Sequence, residues 1–314
     1  MATIATTIIP VIDLLDPVAR EQIVKACHEF GFFKVVNHGV PLEAMTKLEE
    51  EAVNFFNLPQ LEKEKVGSPN PFGYGHKKIG SNGDMGWVEY LFMSTHNPIT
   101  IPGHSQLFRC LVKEYIGAVG GIACKVLEMI AEGLKIEAKD VLSRLIRDEK
   151  SDCWFRINHY PPCTQLQTGM NGGDLIGFGE HKDPQVISVV RSNNTTGLQI
   201  FVGDGTWLSV PPDHHSLFFN VGDSLQVMTN GRFKSVKHRV LANSIEPRLS
   251  MIYFGGPPLS ETIAPLSCLL EEGEETLYNE FSWSEYKNSV YKNRLADNNL
   301  LPFQKNKSTC DMIN

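Results

Sequence analysis

A histidine and an aspartate stand two positions apart in Gly177-Phe178-Gly179-Glu180-His181-Lys182-Asp183-Pro184-Gln185, a glycine-bounded turn that runs into the apolar stretch Val186-Ile187-Ser188-Val189-Val190. Side chains i and i+2 of extended backbone leave on the same side, so His181 and Asp183 can reach one metal ion. A third ligand must come from elsewhere, and His238 in Ser235-Val236-Lys237-His238-Arg239-Val240 is the candidate. His214 and His215 compete for that role, but they adjoin Pro211-Pro212-Asp213 in a turn and read as solvent-facing. Two imidazoles and a carboxylate on one face of an iron ion leave the opposite face open, which suits Fe(II) chemistry with oxygen. A zinc hydrolase with the same ligands is the competing chemistry; it needs a positioned carboxylate base and has no use for the arginine described next.

Arg248, Ser250, Ile252 and Phe254 share one face of an apolar run, with Leu249, Met251 and Tyr253 on the other. An arginine facing inward among apolar side chains is costly unless an anion pairs with it. Its planar fork matches a carboxylate through two parallel hydrogen bonds, and Ser250 can add a third. Iron and this arginine would hold a dicarboxylic oxo-acid by both ends, which points to 2-oxoglutarate. Upstream, Arg156-Ile157-Asn158-His159-Tyr160-Pro161-Pro162-Cys163 ends a strand at a Pro-Pro turn. Asn158 and Tyr160 lie on one face of it and can hydrogen-bond the same cosubstrate.

These residues need a β framework, and the chain supplies one. Short apolar runs separated by Gly, Pro and Asn turns predict strands at 153–159, 185–191, 197–202, 206–210, 215–220, 224–228, 237–242 and 249–255, the pattern of a sandwich or barrel. Hairpin-type turns are read at Thr195-Thr196-Gly197 and Gly203-Asp204-Gly205. Ahead of them come a short strand from Ile8 to Leu14, a helix from Asp16-Pro17 to Phe30, a strand at Phe32–Val36 and a helix from Pro41, whose apolar face is Leu42, Met45, Leu48, Ala52, Phe55 and Phe56. His38 reads as a turn histidine making local hydrogen bonds. Residues 67–100, rich in Gly, Ser, Asn and Pro, read as a long loop of the kind that often carries function. A long helix over 104–134 supports the sheet, and a charged helical pattern returns from about 272. The expected division is an N-terminal α/β region at 1–100, supporting helices at 101–150, a catalytic core at 151–260 and a C-terminal helical segment at 261–314.

The 314 residues are 42% hydrophobic and 21% charged with a net charge of −7, enough for a large core and with no basic stripe, so no nucleic-acid partner is expected. Seven cysteines, an odd number without a Cys-x-x-Cys, argue against a disulfide framework and for a reducing compartment. No stretch approaches the roughly 20 apolar residues of a membrane span. A cytoplasmic protein is expected, with no membrane partner.

Taken together, Asn37–Pro41, Asn158–Cys163, His181-x-Asp183, His238 and Arg248-x-Ser250 resemble, in this order and over nearly the whole chain, the plant 2-oxoglutarate- and Fe(II)-dependent dioxygenases. Within them, Phe72-Gly73-Tyr74-Gly75, Ile79-Gly80, Asn82-Gly83-Asp84, Gly86-Trp87-Val88-Glu89-Tyr90-Leu91, Phe178-Gly179-Glu180-His181, Ser250 through Pro258 and Glu280 through Asp297 are similar to gibberellin 2-oxidases of the C19 class. Lys182 departs from the threonine usual between the ligands, and Glu246-Pro247 stands where a serine often precedes the arginine.

The resemblance implies an α+β protein with a mainly β core, a distorted double-stranded β-helix (jelly roll) with an N-terminal α/β region and flanking helices. It implies Fe(II), 2-oxoglutarate and O2 as cofactors and cosubstrates, with ascorbate as reductant, and 2β-hydroxylation of C19 gibberellins to inactive products. Tyr74, Trp87, Tyr90 and Leu91 are then the expected substrate contacts, in a monomer or a ligand-dependent homo-oligomer. The cation that meets the gibberellin carboxylate stays open among Lys77, Lys78, Arg191, Arg232 and Lys234. A flavonoid or other hormone oxidase and a non-catalytic gibberellin-binding protein are the alternatives.

Overall fold

A computed structural model describes residues 9–79, 83–96, 106–163, 175–202 and 205–305. The expected Gly203-Asp204 turn, Gly80 and Asn82 of the resemblance, the start of the first strand and the first two residues of the long helix lie outside them. The strands are β1 (Val11–Asp13), β2 (Phe32–Val36), β3 (Gly73–Ile79), β4 (Asp84–Ser94), β5 (Trp154–Tyr160), β6 (Ile176–His181), β7 (Ile187–Ser192), β8 (Leu198–Phe201), β9 (Trp207–Ser209), β10 (Leu217–Val221), β11 (His238–Leu241), β12 (Arg248–Gly255), β13 (Thr262–Ile263) and β14 (Phe281–Ser282). The helices are α1 (Ala19–Glu29), α2 (Leu42–Phe56), α3 (Gln60–Glu64), α4 (Gln106–Gly133), α5 (Ser143–Arg147), α6 (Asp223–Met228) and α7 (Trp283–Lys292).

Two sheets face each other. The larger runs β1-β2-β10-β7-β12-β5-β4-β3 and the smaller β6-β11-β8-β9. Pairing is antiparallel throughout these sheets except between β1 and β2. This is the jelly-roll core expected from the alternation of short strands, without a closed barrel.

Because side chains alternate across a strand, each strand of the large sheet serves two layers. Phe155 and Ile157 of β5, Leu249, Met251 and Tyr253 of β12 and Val189 of β7 join the helix-side core with Phe55 of α2 and Val119 and Leu127 of α4. Their neighbours Trp154, Arg156, Asn158 and Tyr160 turn to the space between the sheets, in register with Phe254, Ile252, Ser250 and Arg248 of β12. Between the sheets Phe32, Tyr160, Phe178, Ile200 and Phe218 form a second apolar cluster. Cross-strand rings such as Phe33 and Phe219, 5.4 Å apart, add about 0.5–1.5 kcal/mol beyond their burial.

Three local readings change. Within the stretch read as a long loop, β3 and β4 form a hairpin that closes one edge of the large sheet. Gly73, Gly75 and Gly86 lie within its strands, and a Cβ on Gly75 would run into the Tyr90 ring. The turn before His181 is strand β6, paired with β11 so that His181 stands opposite His238. The apolar run at 224–228 is helix α6 rather than a strand. Four or five apolar residues fit either period, and the helix follows from Gly222, which packs on the Gln185 carbonyl, and from Asp223 N–H bonding to Asp183 O at 2.8 Å.

Candidate active site

The β6–β11 pairing brings His181 and His238 together, with ring centroids 4.2 Å apart. Each Nε2 lies 3.7 Å from Asp183 Oδ1, too far for a hydrogen bond and suited to donors flanking a common ion. Each Nδ1 faces a backbone carbonyl, Gly179 O at 2.9 Å and Val236 O at 3.3 Å, so the tautomer that donates there leaves Nε2 as a free lone pair. Asp183 Oδ2 accepts from the Ser188 hydroxyl of β7. Burial, then the facing His238 ring, pushes the His181 pKa down to about 3, although Asp183 opposes this, so the imidazole is neutral. Two imidazoles, a braced carboxylate and ligand atoms within 4.8 Å of one another fit a divalent iron ion. His214 and His215 stack on each other at 3.9 Å and bond to Asn194 and Asp213, remote from this cluster. His38 accepts locally from Val40 N–H and also reaches His215 O, a long-range bond that the turn reading does not include.

Lys182, between the ligands, lies near Asp223, whose pKa burial raises and whose charge Lys182 helps to offset. Asp223 also accepts from Tyr286 OH of α7 at 2.6 Å. The departure at position 182 thus sits near a buried acid that anchors the C-terminal helix.

Beside the three ligands, a pocket of about 60 Å³ is lined by Asn158, Tyr160, Arg248 and Ser250. Arg248 is 2% exposed, and its Nε and Nη1 have no hydrogen-bond partner among the described residues. Burial lowers its pKa, and the Tyr160 ring 5.4 Å away is its nearest compensation. Asn158 Nδ2 donates to Tyr160 OH at 3.1 Å, and burial raises the tyrosine's pKa, keeping it a neutral donor. A buried guanidinium without an anion is unfavourable, so this pocket fits the far carboxylate of a dicarboxylic acid.

A larger cavity of about 420 Å³ opens on the other side of His181 and Asp183, walled by Tyr90, Phe92, Trp154, Phe178 and Phe254 and by Trp283, Val290 and Tyr291 of α7. Of the expected substrate contacts, Tyr90 lines it. Tyr74 and Leu91 stand opposite each other in the β3–β4 ladder and point into the helix-side core, where Tyr74 OH donates to Glu89 Oε2 at 2.6 Å. Trp87 instead donates to Pro161 O at 2.8 Å and tethers the hairpin to the Pro-Pro turn. The cations considered for a substrate carboxylate are also elsewhere. Arg191 pairs with Glu49 on the helix side, Arg232 with Glu274, Lys234 with Glu29 O, and Lys77 lies over the Trp87 ring. Lys78 does not line the cavity either. Among the described residues the cations that do are Arg156 and Lys287. Arg156 shares a strand face with Asn158 and Tyr160, and that parity was the available signal.

Fold and site together define an Fe(II)- and 2-oxoglutarate-dependent oxygenase. Residues 151–257 match the 2OG-Fe(II) oxygenase superfamily and residues 9–110 the N-terminal region described as that of non-haem dioxygenase in morphine synthesis. The chain belongs to the gibberellin 2-beta-dioxygenase family. It is 60% identical to gibberellin 2-beta-dioxygenase 1 of Pisum sativum over 96% of this chain and 92% of that one. It is 59% identical to gibberellin 2-beta-dioxygenase of Phaseolus coccineus, covering 95% and 91%. Among solved structures, JOX2 in complex with 2OG, Fe and JA superposes with a TM-score of 0.79 at 29% identity, covering 90% of this chain and 85% of that one. The rice dioxygenase for auxin oxidation has the same fold, with a TM-score of 0.79 at 23% identity over 95% and 100% of the two chains.

Proposed function

We propose that the protein is a gibberellin 2-oxidase that 2β-hydroxylates C19 gibberellins. One O2 and one 2-oxoglutarate are consumed, and the 2β-hydroxy product, succinate and CO2 are formed. The observation that carries the reading is the aromatic-walled cavity beside the His181–Asp183–His238 cluster, in a chain 60% identical to a gibberellin 2-beta-dioxygenase. A gibberellin is a rigid, largely apolar polycycle with a carboxylate, and such a ligand calls for apolar walls with few polar groups.

His181, Asp183 and His238 would hold Fe(II), which together with 2-oxoglutarate supplies the oxidising power drawn from O2. Ser188 keeps the Asp183 carboxylate oriented, and the two backbone carbonyls keep each imidazole presenting Nε2. Arg248 and Ser250 bind the far carboxylate of 2-oxoglutarate, with Asn158 and Tyr160 beside it. Tyr90, Trp154 and the α7 side chains exclude water and hold the hydrocarbon skeleton against the ligand edge. Residues 151–260 carry this core.

Incubation with Fe(II), ascorbate, 2-oxoglutarate and a gibberellin panel, read by mass spectrometry, tests the reading. One oxygen added at C2 and one succinate per turnover are expected. Consumption of a flavonoid with every gibberellin untouched would assign the chain to another branch of the dioxygenases. Among the described residues no helix is long and apolar enough to cross a membrane, and the described cysteines are unpaired. We read the enzyme as cytoplasmic, as a monomer or ligand-dependent homo-oligomer. Sedimentation with and without gibberellin separates the two states.

A further inference from the structure

We propose that Arg156 binds the substrate's carboxylate, so that the site holds two carboxylates on two arginines, the cosubstrate's on Arg248 and the substrate's on Arg156. The assignment rests on the gibberellin reading above.

Arg248 pairs in register with Tyr160, and Arg156 with Ile252. The two guanidiniums therefore leave one face of the sheet four residues apart, roughly 13 Å at about 3.3 Å per residue. Asn158 and Ser250, opposite each other, lie between them. Arg248 borders the small pocket, whereas Arg156 borders both pockets and reaches the apolar cavity. Arg156 Nε donates to Asn158 Oδ1 at 2.7 Å, but its Nη2 is out of solvent contact and has no hydrogen-bond partner among the described residues. Aromatic faces hold the guanidinium in place, with Tyr90 at 3.8 Å and Phe178 at 5.0 Å from Cζ. Rings fix such a group but leave its donors open.

Lys287, the other cation of the cavity, is already neutralised. Its Nζ donates to both oxygens of Asp152 at 2.9 and 2.8 Å and stacks over Trp154 at 4.2 Å. Arg156 is thus the cation of this cavity that lacks a carboxylate among the described residues. A rigid polycycle whose one carboxylate docks there has its far carbons fixed relative to the His181–Asp183 edge, so the anchor selects the carbon that is oxidised.

The test is binding of a gibberellin and of its methyl ester, followed by quenching of tryptophan fluorescence (Trp154 and Trp283 line the cavity) with 2-oxoglutarate present and iron withheld. The wild-type protein should bind the acid roughly tenfold to a hundredfold more tightly than the ester, the range for charge-assisted bonds. Arg156→Met should bring that ratio close to one, and Arg156→Lys should restore part of it. The affinity of each variant for 2-oxoglutarate serves as the check on folding. Equal binding of acid and ester by wild type overturns the proposal without any variant. So does a ratio that survives Arg156→Met, one lost in Lys287→Met instead, or an Arg156→Met defect confined to 2-oxoglutarate. Acid-selective binding through Arg156 with no oxidation at C2 would support this inference while removing the gibberellin 2-oxidase reading.

Discussion

Replacing His181, Asp183 or His238 by alanine removes one of three converging donors, and each variant is expected to lose turnover and Fe(II) binding while the β core stays folded. Wild-type activity in His238→Ala, with loss in His214→Ala or His215→Ala, would move the third ligand. The bond from Ser188 to Asp183 extends the argument one residue outward. Ser188→Ala should weaken Fe(II) binding roughly 10–100-fold, as loss of a partner behind a ligand commonly does. Calorimetric Fe(II) titration under anaerobic conditions reads it, and unchanged affinity would reduce that bond to packing. Arg248→Lys keeps the charge but loses the fork. The KM for 2-oxoglutarate should rise about tenfold or more, at about 1.5–3 kcal/mol per charge-assisted bond, with little change in the gibberellin KM.

Besides its pairing with β5 and the Trp87 tether, the β3–β4 hairpin is held to the body of the protein by one largely buried carboxylate. Glu89 of β4 bonds to Lys63 Nζ of α3 at 2.6 Å, to His159 Nδ1 of β5 at 2.8 Å and to Tyr74 OH of β3 at 2.6 Å. Burial alone would raise its pKa; the bonds from His159, Lys63 and Tyr74 outweigh it and hold the pKa below the ordinary carboxylate value. A group depressed in the folded state stabilises above its unfolded pKa, and the gain is lost as pH falls through the native value. Glu89→Ala should cost about 3–5 kcal/mol at pH 7, since it strands a buried cation. The difference from wild type in urea unfolding should shrink as pH drops below about 4, near the unfolded glutamate pKa. Tyr74→Phe should lower stability by about 1.5–3 kcal/mol and leave the gibberellin KM unchanged, while Tyr90→Ala should impair gibberellin oxidation with 2-oxoglutarate still bound. A KM effect at Tyr74 without a stability effect would put that residue back at the substrate.

At the scale of the molecule, the candidate site draws on both sheets: His181 and His238 come from β6 and β11, Asp183 from the turn before β7, and Arg248 of the adjoining pocket from β12. The site therefore exists only when the sheets are packed, and ligands that need it stabilise the whole fold. Fe(II) and 2-oxoglutarate, each at about 100 times its Kd, should each add about 2.7 kcal/mol under anaerobic conditions, a rise of several degrees in Tm. Asp183→Ala should abolish the iron-dependent part of that rise. α7 joins the same assembly through Asp152, which accepts from Trp283 Nε1 at 2.8 Å and from Lys287, and through Tyr286 OH on Asp223.

The residue types and their order determined the chemistry. His-x-Asp, a later histidine and Arg-x-Ser on alternating strands define a metal and a dicarboxylate because few other side chains supply those donors, and strand parity put Asn158, Tyr160, Arg248 and Ser250 on one face. Parity also put Arg156 there, but a strand read alone does not say which of its two faces meets a cavity. That depends on register with neighbours distant in sequence, and the pairing of β4 with β3 and β5 turned Tyr74 and Leu91 toward the helices and Tyr90 toward the cavity. The hairpin itself was hidden by its glycines, of which Gly75 is needed where the Tyr90 ring crosses the neighbouring backbone. The cation free to meet a substrate was likewise decided only by tertiary structure, because a charge is compensated by whatever the fold brings beside it: Glu49 for Arg191, Glu274 for Arg232, Asp152 for Lys287, and for Arg156 aromatic faces with no carboxylate among the described residues.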